Sequence, residues 1–395
     1  MYLPLGAAPV VCFHYFSLCI TVYFIVALFP VFNNCNYMRC RFVCAVFVKN
    51  FKFCLHLKMP VQSYVSTDYE SMAQCNIVGS ALLSDGNNEN GVLNGYINCT
   101  GKGTYRGKTV FVKMNKNSGA VAMFQGEKVG LETIAATGEV KVPRPLQVRL
   151  CGQHGGELIL EHMDMRPLSA EAEGLLGYQL ACMHLDNIQR PLWCVGRKTK
   201  KRDSWNIGHD AVVKSFGFVC PTSCGYILND NTWENDWTVF YTRRVQNRMD
   251  FYLCENQDRV MEQLWEKVKT VIPRLFSDTC VYPSLLHGDL WPGNTAMTAD
   301  GKPVLFDPAT FYGHHEYDLA CGSLFASFGD TFYDEYHKII PQCDSLYFTY
   351  RQKLYQFYYF LNQHTHWQYY QKEPQLMEPQ VGIDMLEYIL EAPAP

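Results

Sequence analysis

The sequence predicts an α+β chain of two lobes, a small and mostly antiparallel β lobe carrying one helix, followed by a large and mostly helical lobe. Three observations lead there. Apolar residues alternate through 109–114 and a second strand-like run covers 157–160, as half-buried strands require. Between these runs Phe124, Leu131 and Ile134 share one face at helical spacing. From Ser169 onward the helical period dominates, with Leu176, Leu180 and Met183 on one stripe.

With 395 residues and 48% apolar side chains, the chain can build one large or two modest domains around a stable core. A net charge of −4 gives no support to a nucleic-acid binder, which needs a concentrated basic surface. The 17 cysteines are scattered and odd in number. Cys40/Cys44 and Cys220/Cys224 lack the further pair or histidine cluster of a zinc site, so free thiols in a reducing compartment are expected.

Taken in order, residues 1–58 differ from the rest of the chain. No charged side chain precedes Arg39, and 10–32 is nearly all apolar, about the length of a membrane-crossing helix. Arg39, Arg41, Lys49, Lys52 and Lys58 come next, which would keep the remainder on the cytoplasmic side. Pro9, Pro30 and the dense aromatics and cysteines make an untidy span. Two readings therefore stand: an anchor that contacts the membrane through 10–32, or an extension ahead of a soluble domain that starts at Met59. Residues 59–94, rich in Ser, Asn and Gly without a sustained period, read as a linker.

The small lobe is expected over 95–163. Gly101, Gly103 and Gly107 precede the strand at 109–114. A helix at about 120–136 puts Glu127 on its apolar stripe, where a carboxylate without a partner is costly; Lys113 on the preceding strand is the candidate partner. Strands at 140–150, interrupted by Pro143-Arg144-Pro145, and at 157–160 complete the lobe. Strands, one helix, then strands is the order of the small lobe in a bilobal protein-kinase-like fold. The interlobe hinge would then be Glu161, His162 and Met163, whose backbone groups receive the adenine edge of a nucleotide; position alone assigns them.

The large lobe, 164–392, carries a further stripe at Val260, Leu264, Val268 and Val271. An aromatic run over 347–370 contains Arg351 and Lys353, which favours a buried helix over a membrane span. Arg197-Lys198-Thr199-Lys200-Lys201-Arg202 reads as a solvated loop.

The chemistry is concentrated in His287-Gly288-Asp289-Leu290-Trp291-Pro292-Gly293-Asn294 and in Asp307, thirteen residues further on. Pro292-Gly293 turns the chain so that Asp289 and Asn294 can meet. Phosphoryl transfer on a kinase fold needs this set of parts. Asp289 is the candidate base for an acceptor hydroxyl, and Asn294 and Asp307 are candidate oxygen ligands for Mg2+. Lys113, held by Glu127, is the candidate anchor for the α- and β-phosphates of ATP. Gly288 replaces the Arg of many protein kinases, Pro308-Ala309 replaces Phe-Gly, and no Ala-Pro-Glu comes after them. A phosphorylated activation loop is therefore not expected, and a small acceptor is favoured over a protein hydroxyl.

These stretches carry a resemblance. His287-Gly288-Asp289-Leu290-Trp291, Phe306-Asp307-Pro308-Ala309, Phe311-Tyr312-Gly313-His314 and Glu316-Tyr317 resemble the fructosamine/ketosamine-3-kinase family, relatives of the aminoglycoside phosphotransferases. Phe124 with Gly126-Glu127, Cys224-Gly225-Tyr226 and Trp233 with Asp236-Trp237 extend the match over about 95–370. The resemblance implies an enzyme that uses ATP and Mg2+ to phosphorylate the 3-hydroxyl of ketosamines. These would be ribulosamine, psicosamine or fructosamine, on glycated protein lysines or on small amines. The 3-phosphate makes the adduct unstable, so that it decomposes and frees the amine.

Carried over residue by residue, the resemblance implies Asp289 as base, Asn294 and Asp307 as metal positions, and Lys113 with Glu127 as phosphate anchor. Trp291 would pack on the apolar face of the sugar. His314 and Glu316 would either touch substrate or belong to a structural network, and Asp318 would support the loop. Cys99 approximately meets a cysteine of some members, which implies a disulfide-linked dimer under oxidation. Two alternatives stand beside this expectation. One is a kinase for another alcohol, such as an antibiotic or choline. The other is a tethered, inactive scaffold on the same fold, which would be expected to lack Lys113, Asp289 or Asp307; all are present.

Overall fold

The computed structural model describes residues 23–31, 39–48, 51–58, 93–94, 98–193, 212–343, 345–366 and 378–394. The chain divides into two compact units, Met1–Ala73 and Gln74–Pro395. In the first, β1 (Tyr23–Val31), β2 (Arg39–Val48) and β3 (Phe51–Lys58) pair as an antiparallel sheet in that order. The described part of the apolar run is thus extended, whereas the anchor reading requires a helix there. The aromatic and β-branched content of Tyr23–Val31 suits a strand. No described helix is long and apolar enough to cross a membrane. The rest of 10–32, nearly all of the linker and the basic run at 197–202 lie outside the described residues.

The second unit opens with β4 (Leu93–Asn94), β5 (Cys99–Tyr105) and β6 (Lys108–Asn115). With β7 (Pro145–Cys151) and β8 (Gly155–Glu161) they form an antiparallel sheet of order β4-β5-β6-β8-β7. Arg106 and Gly107 close the β5–β6 hairpin at φ 51° and 74°, the left-handed pair that a two-residue turn demands. The glycine-spaced stretch is therefore a tight hairpin. α1 (Ala120–Thr137) buries Met123, Phe124, Glu127, Leu131 and Ile134 and packs on β7 and β8. β6 is the middle strand of the sheet, and Lys113, paired with Thr100 and Leu158, lies in its buried half. The strand expected from 140 begins only at Pro145. Pro143 has no N–H to give a ladder, and Lys141 instead bridges Val304.

The remainder is mostly helical, as expected of an α+β, protein-kinase-like chain. β9 (Met165–Arg166) leads into α2 (Ala170–Trp193), and a small hairpin, β10 (Thr222–Ser223) with β11 (Leu228–Asn229), precedes α3 (Trp237–Asn256) and α4 (Arg259–Leu275). Asp236 and Asp258 cap these two helices, each accepting from two backbone N–H groups of the first turn. Four short strands come next: β12 (Ser284–Leu286), β13 (Thr295–Thr298), β14 (Pro303–Leu305) and β15 (Phe311–Gly313). β12 pairs with β15, and β13 pairs with β14 and β9. α5 (Glu316–Phe325), α6 (Asp330–His337), α7 (Phe348–Thr365) and α8 (Pro379–Leu390) complete the unit.

Two helices differ from expectation in detail. The buried stripe of α4 is Met261, Trp265, Val268, Ile272 and Leu275, while Val260 is 54% exposed. Both stripes have helical spacing; the side chains that found a core are the bulkier set. The aromatic run forms α7 from Phe348 to Thr365, and its buried face includes Arg351.

Candidate active site

The loop between β12 and β13 is held from below by Asp318, on α5. Its carboxylate accepts from the backbone N–H of His287 at 2.7 Å and of Gly288 at 2.8 Å. His184 of α2 meets the same carboxylate at 3.2 Å and the Tyr336 hydroxyl at 2.8 Å. Gly288 takes φ 84°, and a Cβ there would collide with the Ala309 carbonyl, so the backbone of one loop lies on the other. The N–H of Asp289 donates to His287 Nδ1 at 3.3 Å, which leaves Nε2 carrying the proton and donating to the Phe306 carbonyl at 2.9 Å. Ala309 N–H to the His287 carbonyl and Phe306 N–H to the Asn294 carbonyl complete the tie between the two loops. Asp318→Ala would strand two buried N–H groups at about 1–3 kcal/mol each. The expected result is a lower melting temperature and a kcat that falls more than nucleotide affinity does. Unchanged melting and turnover would mean that the loop holds its own shape.

Pro292–Asn294 is a single 3-10 turn, and it brings Asn294 Nδ2 to 3.1 Å from Asp289 Oδ2 and 2.8 Å from the Asp289 carbonyl. Burial pushes the Asp289 carboxyl above its ordinary range, with the His287 ring pulling the other way. Asp307 sits at φ 56° in the connection from β14 to β15, and its side chain is 45% exposed. Left-handed backbone is uncommon for a residue with a side chain, and Asp is among the few that tolerate it.

From the five-stranded sheet, Lys113 Nζ donates to both Glu127 oxygens at 2.8 and 2.7 Å and to Asp307 Oδ1 at 2.9 Å. The ammonium is buried. Burial works against its charge, but Asp307 and Glu127 outweigh that and hold it above the ordinary lysine range. One cation therefore bridges a helix carboxylate and a loop carboxylate that lie 180 residues apart in sequence (307 − 127). Asp289, Asn294, Asp307, Lys113 and Glu127 are brought together in this way.

The other expected residues are placed less centrally. Glu161 ends β8; its N–H donates to the Arg144 carbonyl and its Oε1 accepts from the Arg144 N–H, both at 2.9 Å, so it secures the start of β7. His162 and Met163 come after it, partly buried, between β8 and β9. The Trp291 ring folds over Gly293, where any Cβ would strike it, and packs partly against the core.

The placement of His314 and Glu316 favours one of the two readings open to them. Both are almost fully buried, at 1% and 2% exposure. His314 Nδ1 bonds the Tyr355 hydroxyl at 2.7 Å, and both Glu316 oxygens accept from Arg351 at 2.8 Å. Their polar atoms are spent inside the large lobe, which is the structural network rather than the substrate contact. Cys99, on β5, is partly buried, and burial pushes its thiol up, away from the ready thiolate that disulfide exchange uses. Among the described residues, no cluster of His, Cys, Asp or Glu could hold a metal without other ligands.

Sequence reasoning gave no role to His184, Tyr336, Arg351, Cys224 or Cys321. His184 comes after Leu180 and Ala181 in a helical stripe, and its polar character there was the available signal. The others come to the site only through packing.

A buried strand lysine paired with a helix glutamate, facing an Asp–Asn loop and a second Asp on a kinase-like fold, defines a phosphotransferase. A family model described as fructosamine kinase matches residues 84–381, and the chain belongs to that family. It is 41% identical over 268 residues to a ketosamine-3-kinase of Mus musculus, covering 66% of this chain and 82% of the relative. It is 33% identical over 259 residues to a chloroplastic protein-ribulosamine 3-kinase of Arabidopsis thaliana, covering 65% and 70%. Among solved structures, a putative fructosamine-3-kinase from Haemophilus somnus superimposes with a TM-score of 0.60 at 23% identity, over 76% of this chain and 90% of that one. At that identity the likeness is one of fold.

Proposed function

We propose that the protein transfers the γ-phosphoryl group of ATP to the 3-hydroxyl of ketosamines on glycated proteins, and so initiates their deglycation. Ribulosamine and psicosamine are the preferred acceptors in this reading, with fructosamine also accepted. The observation that carries it is the single ammonium of Lys113 spanning Glu127 and Asp307 beside the Asp289–Asn294 pair. The names of the mouse and Arabidopsis relatives support a ketosamine acceptor.

Asp289 removes the proton of the attacking hydroxyl as the new O–P bond forms and the bond to the leaving ADP breaks. Burial raises its pKa, which makes it a better base than an exposed aspartate. Lys113, oriented by Glu127, neutralises phosphate charge, and the backbone at Glu161, His162 and Met163 receives the adenine edge. Trp291 offers an apolar face to the sugar beside the base.

Mg2+ fits the donors present. Asp307 exposes a carboxylate, the Asn294 amide nitrogen is spent on Asp289 so that its oxygen is the atom left for a metal, and a hard cation that keeps phosphate and water ligands needs few protein oxygens. When bound there, it would neutralise charge developing on the phosphates.

The test is a substrate panel with purified protein and ATP. Phosphorylation of ribulosamine, psicosamine and fructosamine, and not of aminoglycosides or choline, is the expected result. Turnover confined to another alcohol would move the enzyme to that substrate. No turnover with any acceptor would leave a scaffold.

A further inference from the structure

The carboxylate of Asp289 has two unequal sides. Asn294 approaches Oδ2 at 3.1 Å, through an amide that also reaches the Asp289 carbonyl. The Oδ1 side faces a thiol. Cys321 Sγ, on α5, donates to Oδ1 at 3.9 Å, and the Cys224 thiol, in the β10–β11 turn, interacts with the same carboxylate. Both thiols are buried, Cys321 at 0% and Cys224 at 6% exposure. Cys224 is itself fixed, since Asn362 Nδ2 of α7 donates to its sulfur at 3.1 Å. Separate elements of the large lobe thus converge on the carboxylate proposed as the base.

We infer that Cys224 and Cys321 are positioning residues for Asp289: the Cys321 thiol holds Oδ1 inward and Cys224 steadies the same carboxylate, so that Oδ2 is presented to the acceptor hydroxyl. The inference rests on the reading of Asp289 as base. With Asn294 engaging only Oδ2, the carboxylate can still turn about that contact, and a second contact on Oδ1 fixes its plane. A thiol suits the task because it is a weak donor. Burial pushes both thiols up, so they orient the carboxylate as neutral groups that add no charge beside it. Neither thiol touches the acceptor, so neither is catalytic.

Packing and positioning predict opposite orders of tolerance, which makes the test decisive. A buried cysteine that only packs behaves as a small apolar group, so valine or alanine replaces it better than serine does. A cysteine that donates is replaced better by serine. Four variants, Cys321→Val, Cys321→Ser, Cys224→Ala and Cys224→Ser, are made in the full chain. Each is assayed for kcat and for KM of ATP and of ribulosamine, with melting curves beside them.

The expected result is a kcat about tenfold or more below wild type in the valine and alanine variants, with both KM values and melting little changed. The serine variants regain most of kcat even where their melting temperature is the lower. The inference is overturned if kcat follows melting temperature across the set, or if the apolar variants turn over like wild type. Asp289→Asn serves as the control. Wild-type turnover in that variant would remove the base assignment itself, whereas an inactive Asp289→Asn beside fully active apolar variants would remove only the role of the thiols.

Discussion

Asp289→Asn is expected to lower kcat by roughly 10²–10⁴-fold while ATP binds as before. The substitution keeps the shape of the side chain and one acceptor oxygen, and takes away its negative charge and its capacity to accept a proton. The part proposed to bind nucleotide is built elsewhere, from Lys113, Glu127 and Asp307, with Lys113 Nζ 2.7–2.9 Å from the carboxylate oxygens of the other two. Steady-state turnover with ribulosamine and a separate titration of nucleotide binding measure the two effects independently. Turnover near wild type would take Asp289 out of the mechanism. Loss of nucleotide binding in parallel would mean that the loop, and not the carboxylate alone, had been disturbed.

Glu316→Ala is expected to cost about 3–5 kcal/mol of stability, the usual consequence of leaving one member of a buried ion pair behind. Arg351 has no exposed surface. Its Nε and Nη2 donate to the two Glu316 oxygens at 2.8 Å, and Nη1 donates to the Leu275 carbonyl and the Ser345 hydroxyl at 3.0 Å. Asp278, at 3.5 Å and 35% exposed, is a partial substitute at best. A loss of that size is a large share of the about 5–15 kcal/mol that separates folded from unfolded domains, so it will be plain in a urea titration. The double variant Glu316→Leu with Arg351→Met removes both charges and is expected to recover much of the loss. An unchanged midpoint in Glu316→Ala, together with a raised KM for the ketosamine, would return Glu316 to the substrate.

The parts that could be read from the chain are those whose meaning is local. The strand at 109–114, the α1 stripe with its inward Glu127 and the turn at Pro292-Gly293 each depend on residues a few positions apart. Lys113 was reachable because a buried carboxylate needs a cation and the preceding strand offers one. Asp318 was expected to support the loop, and its carboxylate does hold two backbone N–H groups there. His314 and Glu316 were not resolvable in the same way. Polar residues that come after a metal loop have the same appearance whether they face a substrate or Arg351, which comes more than thirty residues later. The α4 stripe was only partly right, with Val268 buried, Leu264 and Val271 partly buried and Val260 exposed, because period identifies residues that share a face and two faces of that helix carry apolar side chains.

By itself the sequence determined the fold class, the family and the side chains proposed to meet phosphate, metal and acceptor, because periodicity and residue chemistry are properties of short stretches. Only the tertiary structure decided which carboxylate Lys113 bridges to Glu127, which polar groups are spent within the core, and which thiols lie against Asp289. Those pairings join segments tens to nearly two hundred residues apart, and they are chosen by which faces the packed helices and sheets bury against one another.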